Sequence, residues 1–155
     1  REKIAKFFDD KVLFAGLTYN GHALACAAAL ATIEAYEEDR IFENAKKVGA
    51  HLGKRLEELK AKHPSVGDVR YIGMFTALEL VRNRTTKEPM DLTALKNFMI
   101  ANGVYVFNFK NILFIVPPLV ITEQQLDEGL DLLDEGLAEL MDTQTSPSRT
   151  STGTV

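Results

Sequence analysis

The stretch Asp68-Val69-Arg70-Tyr71-Ile72-Gly73-Met74-Phe75-Thr76-Ala77-Leu78-Glu79-Leu80-Val81 lies near the middle of the 155-residue chain and decides its fold class. Its two parts, residues 68–73 and 74–81, are rich in the β-branched and aromatic side chains that strands favour. In the second part, apolar residues alternate with others, as expected of a strand with one buried face. The stretch therefore predicts two successive strands.

Two long helices are predicted before these strands. Apolar side chains recur every three or four residues from His22 to about Glu38, and again from Ile41 onward. Pro64 ends the second helix, because proline has no N–H for the helical ladder. The inward positions of that helix are Ile41, Ala45, Val48, Leu52, Leu56 and Leu59.

A loop, a helix and two further strands are predicted after residue 81. The polar segment 82–89 is typical of a loop. Asp91 is the expected N-cap of a helix that ends at Asn102-Gly103. Residues 104–107 and 112–116 then predict two short strands joined by a hairpin-like connection.

A capping box begins the last predicted helix. Thr122 and Gln125 have the spacing in which each side chain bonds the backbone N–H of the other residue. The order of elements predicts an α+β fold with a three- to four-stranded sheet and helices on one face. The inward positions of the last helix are Leu126, Leu130, Leu133, Leu137 and Leu140.

Composition excludes several classes of function. The net charge of -4, without a dense cluster of Lys and Arg, argues against nucleic acid as a partner. Apolar runs fall short of the roughly 20 residues that span a bilayer, so no membrane partner is expected. Cys26 is the single cysteine and excludes an internal disulfide, which favours a cytoplasmic location. Because it lies in an alanine run, we expect it to be a small buried residue.

The segment Gly16-Leu17-Thr18-Tyr19-Asn20-Gly21-His22 leads directly into the first long helix. Free backbone N–H groups and the helix dipole attract anions at a helix start, and the Thr18 hydroxyl adds a donor. The segment therefore predicts a phosphate site, and a phosphate contact is favoured for Thr18 over the alternative of a helix-entry cap. Asn20 is the expected side-chain cap, and His22 is expected to be a hydrogen-bonded structural group rather than a catalyst. No spacing of Cys, His or carboxylates indicates a metal site.

This segment resembles the "G-[LF]-T-Y-[SN]-x-H-P-L-A-C-A-A-A" motif of the class III aminotransferases, pyridoxal-phosphate enzymes of fold type I. Ala23 departs from it, because the family usually has proline there. Four other stretches are similar to family motifs in the same order and extend the resemblance to about Met141. They are Gly67-Asp68-Val69-Arg70 with Gly73, Ala77-Leu78-Glu79-Leu80-Val81, Gly103-Val104 and Pro117-Pro118-Leu119-Val120-Ile121-Thr122-Glu123.

The resemblance implies a division of the chain into four parts. Residues 1–21 would end the large cofactor-binding domain, and residues 22–63 would form linking helices. Residues 64–141 would form the C-terminal small domain of fold type I enzymes. The composition changes to Thr, Ser, Gln, Pro and Gly after residue 141, so residues 142–155 are expected to be a disordered tail.

The resemblance also implies a cofactor, pyridoxal 5'-phosphate (PLP), and a homodimer. In the family the motif threonine contacts the phosphate of the cofactor that the partner subunit holds. Thr18 would make this contact through its hydroxyl and Leu17 through its backbone N–H. Both would therefore be cofactor-binding residues acting across the dimer interface.

The family's catalytic residues lie upstream of the motifs found here. The Schiff-base lysine, the aspartate at the pyridine nitrogen and a glycine-rich phosphate turn all precede the threonine motif. None of the eleven lysines of this chain has the context of that lysine. We therefore assign no catalytic residue, and expect the chain to be the C-terminal part of a longer enzyme and inactive alone.

The substrate class is suggested by one departure from the family. Some branches hold a substrate carboxylate with an arginine before the double proline, and here that position is Phe114. A phenyl ring cannot form the bidentate pair, which favours transfer from an ω-amino acid or amine to a keto acid such as pyruvate. Arg70 could pair with a carboxylate, but its glycine-rich setting favours a structural turn. An aminomutase or decarboxylase on the same scaffold, or a non-catalytic binding or dimerisation module, remains an alternative.

Overall fold

The computed structural model describes residues 1–16 and 18–145, which fall into two compact units. The first is Arg1–Asp39 and the second begins at Arg40. This division differs from the expected one, in which residues 22–63 form a separate linking segment. The second long helix belongs to the sheet unit, because its apolar stripe is buried in that unit's core.

The first unit contains two helices, α1 (Glu2–Lys6) and α2 (Ala23–Glu38). Among its described residues none is buried, so the prediction of a buried Cys26 is wrong for this structure. Helix α2 carries apolar side chains all round, a composition typical of a helix that is enclosed by other elements. In the described residues, α2 is exposed and no other element encloses it.

The second unit combines helices and an antiparallel sheet. Its helices are α3 (Ile41–Lys62), α4 (Thr93–Ala101) and α5 (Glu123–Gly136), and α5 continues into a π-helical turn (Leu137–Met141) and a 3-10 turn (Asp142–Gln144). Its strands are β1 (Val66–Ile72), β2 (Phe75–Asn83), β3 (Glu88–Pro89), β4 (Phe107–Phe109) and β5 (Ile112–Ile115).

Four strands form the main sheet in the order β1-β2-β5-β4, and neighbouring strands are antiparallel. The α+β class, the four-stranded sheet and the helices on one face are confirmed. The two-residue strand β3 was not predicted and pairs with the end of β2. The Asn83 side-chain oxygen accepts from the N–H groups of Thr85 and Thr86, which turns the chain back toward β2.

The core lies between the helices and one face of the sheet. The predicted inward stripe of α3 is confirmed, since Leu52 and Leu56 have no exposed surface. Leu78 and Leu113, on neighbouring strands, point into the same core. Fully burying a leucine contributes about 1.5–3 kcal/mol, so this layer dominates the stability of the unit.

Two glycines allow α3 to approach the β1–β2 hairpin closely. A Cβ at Gly49 would lie 2.9 Å from the carbonyl carbon of Gly73, and one at Gly53 would meet the Tyr71 ring. Gly73 has a φ of 58°, which L side chains adopt at a cost, and it occupies the first turn position between Ile72 and Phe75. The close contact between α3 and the β1–β2 turn therefore depends on glycine in both segments.

The helix-start predictions are met at α5 but not at α4. The capping box of Thr122 and Gln125 is confirmed in both directions. At α4 the N-cap is Leu92 rather than Asp91. The Asp91 carboxylate nevertheless accepts from the N–H of Thr93 at 3.1 Å and from its hydroxyl at 2.8 Å. The helix begins one residue later than predicted because Asp91 bonds two residues ahead instead of three.

Ion pairs join the outer edges of α3 and α5. Arg55 donates to Asp127 and to Asp131, and His51 Nε2 lies 2.9 Å from the Asp127 carboxylate. Burial alone would raise the pKa of Asp127, but hydrogen bonds and charges from His51 and Arg55 outweigh it and lower that pKa. Asp127 is therefore ionised at neutral pH, and it holds the two helices in a fixed axial register.

The end of α5 departs from the predicted regular helix. The π turn places Met141 fully in the core and leaves Leu140 half-buried, whereas the sequence pattern predicted Leu140 inward. The predicted tail from residue 142 also begins too early, since Asp142–Gln144 forms a 3-10 turn. Residues 146–155 of that prediction lie outside the described part of the chain.

We expect Gly49→Ala to destabilise the second unit by about 1–2 kcal/mol, because the added methyl meets the Gly73 backbone. The matched control is Gly129→Ala in α5, where a Cβ meets nothing within 4 Å. That change should stabilise by about 0.5–1 kcal/mol through helix propensity. Chemical denaturation of both variants measures the difference, and equal stabilities would contradict the close approach.

Candidate functional site

The turn before α2 is the first candidate site. The His22 N–H donates to the Tyr19 carbonyl at 3.2 Å, and Gly21 takes a φ of 67° that closes the turn. The Asn20 amide donates to the Ala15 carbonyl at 3.2 Å. The prediction that Asn20 caps α2 is therefore wrong, because its side chain bonds the preceding strand-like segment instead.

His22 is the residue that caps α2. Its Nδ1 accepts from the Ala25 N–H at 3.3 Å, and its carbonyl accepts the first helical bond from Cys26. The prediction of a hydrogen-bonded structural histidine is confirmed. The N–H groups of Ala23 and Leu24 belong to the first helical turn, so no carbonyl of their own helix is available to them.

This turn fits a phosphate group. Thr18 is exposed and lies within the Thr18–Gly21 turn, four residues before the N-cap. An exposed hydroxyl, unused N–H groups and the positive end of a 16-residue helix dipole are together what an anion requires. The predicted contact of Leu17 concerns a residue outside the described part of the chain.

The second candidate site is the open face of the sheet, opposite the helices. The strand register places Arg70, Ala77, Phe114 and Phe107 in one row across β1, β2, β5 and β4. Ala77 is the small residue of the row, and a depression of about 440 Å³ lies above it. The Phe114 ring centroid is 5.7 Å from that of Phe107.

Aromatic side chains make this depression apolar on one side. The ring of Phe114 also lies 6.1 Å from that of Phe75, which is half exposed. Phe114 was a predicted substrate-facing position, whereas Phe75 and Phe107 were not. The sequence shows the alternation of side chains within each strand. It does not show that these residues share one face of the sheet, because that depends on the register between strands.

Arg70 forms the polar side of the depression. Its Nη1 donates to Asp68 and to Glu79, each at 2.9 Å. The prediction of a turn position for Arg70 is wrong, because the residue lies within β1 beside Glu79 of β2. The hydrogen bond to Glu79 is the main cause that raises the pKa of Arg70. The positive charge of Arg70 is therefore paired with carboxylates of the protein.

Neither a membrane helix nor a metal centre is found in residues 1–16 and 18–145. No helix there has both the length and the apolar character needed to cross a bilayer. Within the same ranges, no three His, Cys, Asp or Glu side chains are grouped so as to hold a metal ion. The Thr18–Gly21 turn and the open sheet face are the two candidate sites in the described residues.

A family model described as aminotransferase class-III matches residues 1–137. The chain is 36% identical over 141 residues to adenosylmethionine-8-amino-7-oxononanoate aminotransferase of Methanocaldococcus jannaschii, covering 88% of this chain and 30% of that protein. It is 40% identical over 129 residues to 4-aminobutyrate aminotransferase of Mycobacterium bovis, covering 81% of this chain and 29% of that protein.

Solved structures agree with this match. The taurine:2-oxoglutarate aminotransferase of Bifidobacterium kashiwanohense, in complex with PLP and glutamate, is 36% identical and superimposes with a TM-score of 0.77. The match covers 88% of this chain and 32% of that one. The chain thus spans about a third of the length of the relatives it matches. On the family model and on these similarities, the chain belongs to the class III aminotransferases.

Proposed function

We propose that this chain is the C-terminal part of a PLP-dependent aminotransferase. The enzyme would act as a homodimer in the cytoplasm and transfer an amino group from an ω-amino acid or amine to a keto acid such as pyruvate. The observation that carries the proposal is the exposed Thr18 turn at the start of α2, in a chain whose relatives are aminotransferases about three times as long. The free thiol of Cys26 supports a reducing compartment.

The role proposed for this turn is to hold the phosphate of the cofactor. PLP, when bound, supplies the electron sink for breaking bonds at the amino carbon. The Thr18 hydroxyl and the Leu17 backbone N–H would donate to the phosphate, and the dipole of α2 would favour its negative charge. Fixing the phosphate orients the cofactor ring with respect to the substrate.

The exposure of the first unit supports contact with further protein. Leu24, Leu30 and Ile33 of α2 are 74%, 62% and 57% exposed, and Phe14 is 95% exposed. Large exposed apolar side chains in this number are typical of a segment that other protein covers. We infer that the upstream part of the enzyme and the partner subunit cover this surface, and we propose that Thr18 then contacts a cofactor bound by the partner.

The lysines of the described chain support a division of labour. Lys60 is 3.0 Å from the Asp68 carboxylate and Lys62 is paired with Asp134, so both lysines are engaged in ion pairs. No lysine lines the open sheet face above Ala77. We propose that the Schiff-base lysine lies upstream and that this chain contributes binding groups rather than the catalytic base.

Phe114 supports the proposed substrate class. It takes the position where the resemblance assigns an arginine to a substrate carboxylate, and it lies among aromatic rings on the open sheet face. An apolar side chain at this position cannot form an ion pair with a second carboxylate of the substrate. Donors with a remote or absent carboxylate, and a small acceptor such as pyruvate, are therefore favoured.

Replacing Thr18 tests the phosphate contact. In the intact dimer, Thr18→Ala should raise the dissociation constant for PLP about tenfold, because one hydrogen bond to a charged group is lost. Thr18→Ser is the control that keeps the hydroxyl. Equilibrium dialysis measures both constants, and unchanged affinity in Thr18→Ala would contradict the contact.

A mixed dimer distinguishes a contact within one subunit from one across the interface. One subunit carries Thr18→Ala and the other lacks the Schiff-base lysine. If the contact is made across the interface, the site with an intact lysine faces an intact Thr18 only when the two changes are in different subunits. That arrangement should bind PLP normally, and the opposite arrangement weakly.

The inactivity of this chain alone is a separate prediction. With PLP, an amine donor and pyruvate, the 155-residue chain should form no alanine above background, because it lacks the cofactor-bonding lysine. The intact enzyme is the positive control, and liquid chromatography measures alanine. Turnover by the chain alone would overturn the proposed division of labour.

Phe114→Arg tests the substrate class. In the intact enzyme this change should raise kcat/KM for 2-oxoglutarate relative to pyruvate about tenfold, because a guanidinium pairs with the second carboxylate. Phe114→Leu removes the ring without adding charge and should leave the ratio unchanged. Equal ratios in the arginine and leucine variants would show that this position does not contact the acceptor.

A further inference from the structure

The connection between β5 and α5 contains two consecutive prolines. We call residues 116–121, which include Pro117 and Pro118, the double-proline segment. Strand β5 ends at Ile115, so the segment lies beyond the last pair of the β2–β5 ladder. Proline fixes φ and has no N–H, so neither proline can donate a backbone hydrogen bond. Carbonyl oxygens are therefore the more numerous backbone groups through which other elements can hold this segment.

Asn44, in the first turn of α3, holds the segment at two points. Its side-chain amide donates to the carbonyl oxygen of Leu119 at 2.8 Å and to that of Ile121 at 3.1 Å. The NH₂ group of an asparagine carries two hydrogens, so one side chain can make both bonds at once. The backbone N–H of Asn44 donates to the carbonyl of the N-cap residue Arg40. The side chain therefore extends from a formed helical turn.

Thr76 of β2 holds the chain where the segment begins. Its hydroxyl donates to the carbonyl oxygen of Ile115 at 2.8 Å, and its side chain has no exposed surface. Thr76 and Ile115 are also partners in the strand register. Thr76 thus fixes the start of the segment, and Asn44 fixes its end.

Packing restrains the segment less than these bonds do. Ile121 packs against the core, but Val116 and Val120 are more than half exposed and Leu119 is exposed as well. A cleft of about 530 Å³ lies along the segment, between the end of α4 and one face of α5. The hydrogen bonds from Asn44 therefore supply much of the restraint on the exposed part of the segment.

The segment continues the open sheet face beyond Phe114. Phe114 lines the depression on that face, whereas Ile115 packs against the core on the other side. Val116 precedes Pro117, which restricts Val116 to extended backbone. Side chains alternate along an extended chain, so Val116 is the next side chain on the side of Phe114. Its exposure agrees with that direction.

We propose that Asn44 is a positioning residue for the reaction, and that it holds Val116 beside Phe114 through the double-proline segment. This role rests on the proposed function, in which Phe114 faces the substrate. Val116 would then extend the apolar wall against which the hydrocarbon part of an amino donor packs. A wall of this kind aids binding only where its position is fixed. Asn44 would act through the segment, without contacting substrate or cofactor.

Hydrogen exchange of the intact enzyme tests the anchor without relying on activity. Asn44→Asp keeps the side-chain shape but replaces the donating amide by a carboxylate, which only accepts. Asn44→Ala loses the same bonds without adding charge. In both variants we expect the amides of residues 119–122 to exchange about fivefold faster or more, because two bonds to the segment are lost. Mass spectrometry measures the exchange, and an unchanged rate in both variants would overturn the anchor.

The matched control for the anchor is Asn108→Asp. Its wild-type amide donates to the Lys110 carbonyl at 2.9 Å, in the turn at the opposite end of β5. The same chemical change is thus made where the double-proline segment is not involved. Exchange of residues 119–122 should stay at the wild-type rate in this control. An equal acceleration in Asn108→Asp would show a general loosening of the sheet instead of a specific anchor.

Kinetics of the intact enzyme test the role in the reaction. With phenethylamine as donor, Asn44→Ala should raise the donor KM about fivefold, while kcat and the dissociation constant for PLP stay within about twofold. In a Val116→Ala background the same change should leave the donor KM nearly unaltered, because its effect passes through Val116. An effect of equal size in both backgrounds would refute positioning through Val116.

The two measurements separate this inference from the proposed function. Absence of amino transfer by the unmodified enzyme would overturn the proposed function and the positioning role with it. Faster exchange in Asn44→Ala would in that case still establish the anchor. Normal amino transfer with an unchanged donor KM in Asn44→Ala would overturn the positioning role alone.

Discussion

Burial of the apolar stripe of α3 against the sheet is the interaction on which the rest of the second unit depends. Leu52 and Leu56 are fully enclosed, and the glycines one turn apart let the helix reach the β1–β2 turn backbone. Close contact at both side chains and backbone fixes the direction of the helix. The direction of α3 sets the position of its last turn in space. It thereby sets the position of His63 relative to α5.

The first unit has no buried apolar stripe of this kind among its described residues. Helix α2 has the apolar composition of an enclosed helix, but none of its residues is buried within the described chain. The relatives that the chain matches in this family are about three times as long. A turn that can bind phosphate at the edge of such a surface is well placed to serve a site formed from more than one part of the enzyme.

Much of the second unit could be predicted because the relevant signals are local. The periodicities of helix and strand identified the inward residues of α3 and α5, and the capping box located the start of α5. Pro64 correctly marked the end of α3, since the residue before a proline is driven to extended backbone. The residue types next to the start of α2 also predict phosphate binding by the Thr18 turn, and both this binding and its use by a cofactor stay predictions.

Sequence by itself determined which segments become helices and strands and which of their faces are apolar, because both depend on residues within one or two turns. Tertiary structure alone decided the pairing of β3, the row that joins Arg70 to Phe107 and the exposure of Cys26. It also decided the meeting of His63 with carboxylates more than seventy residues away. The physical reason is that strand register and helix-end geometry depend on how distant segments pack, and no local pattern encodes that packing.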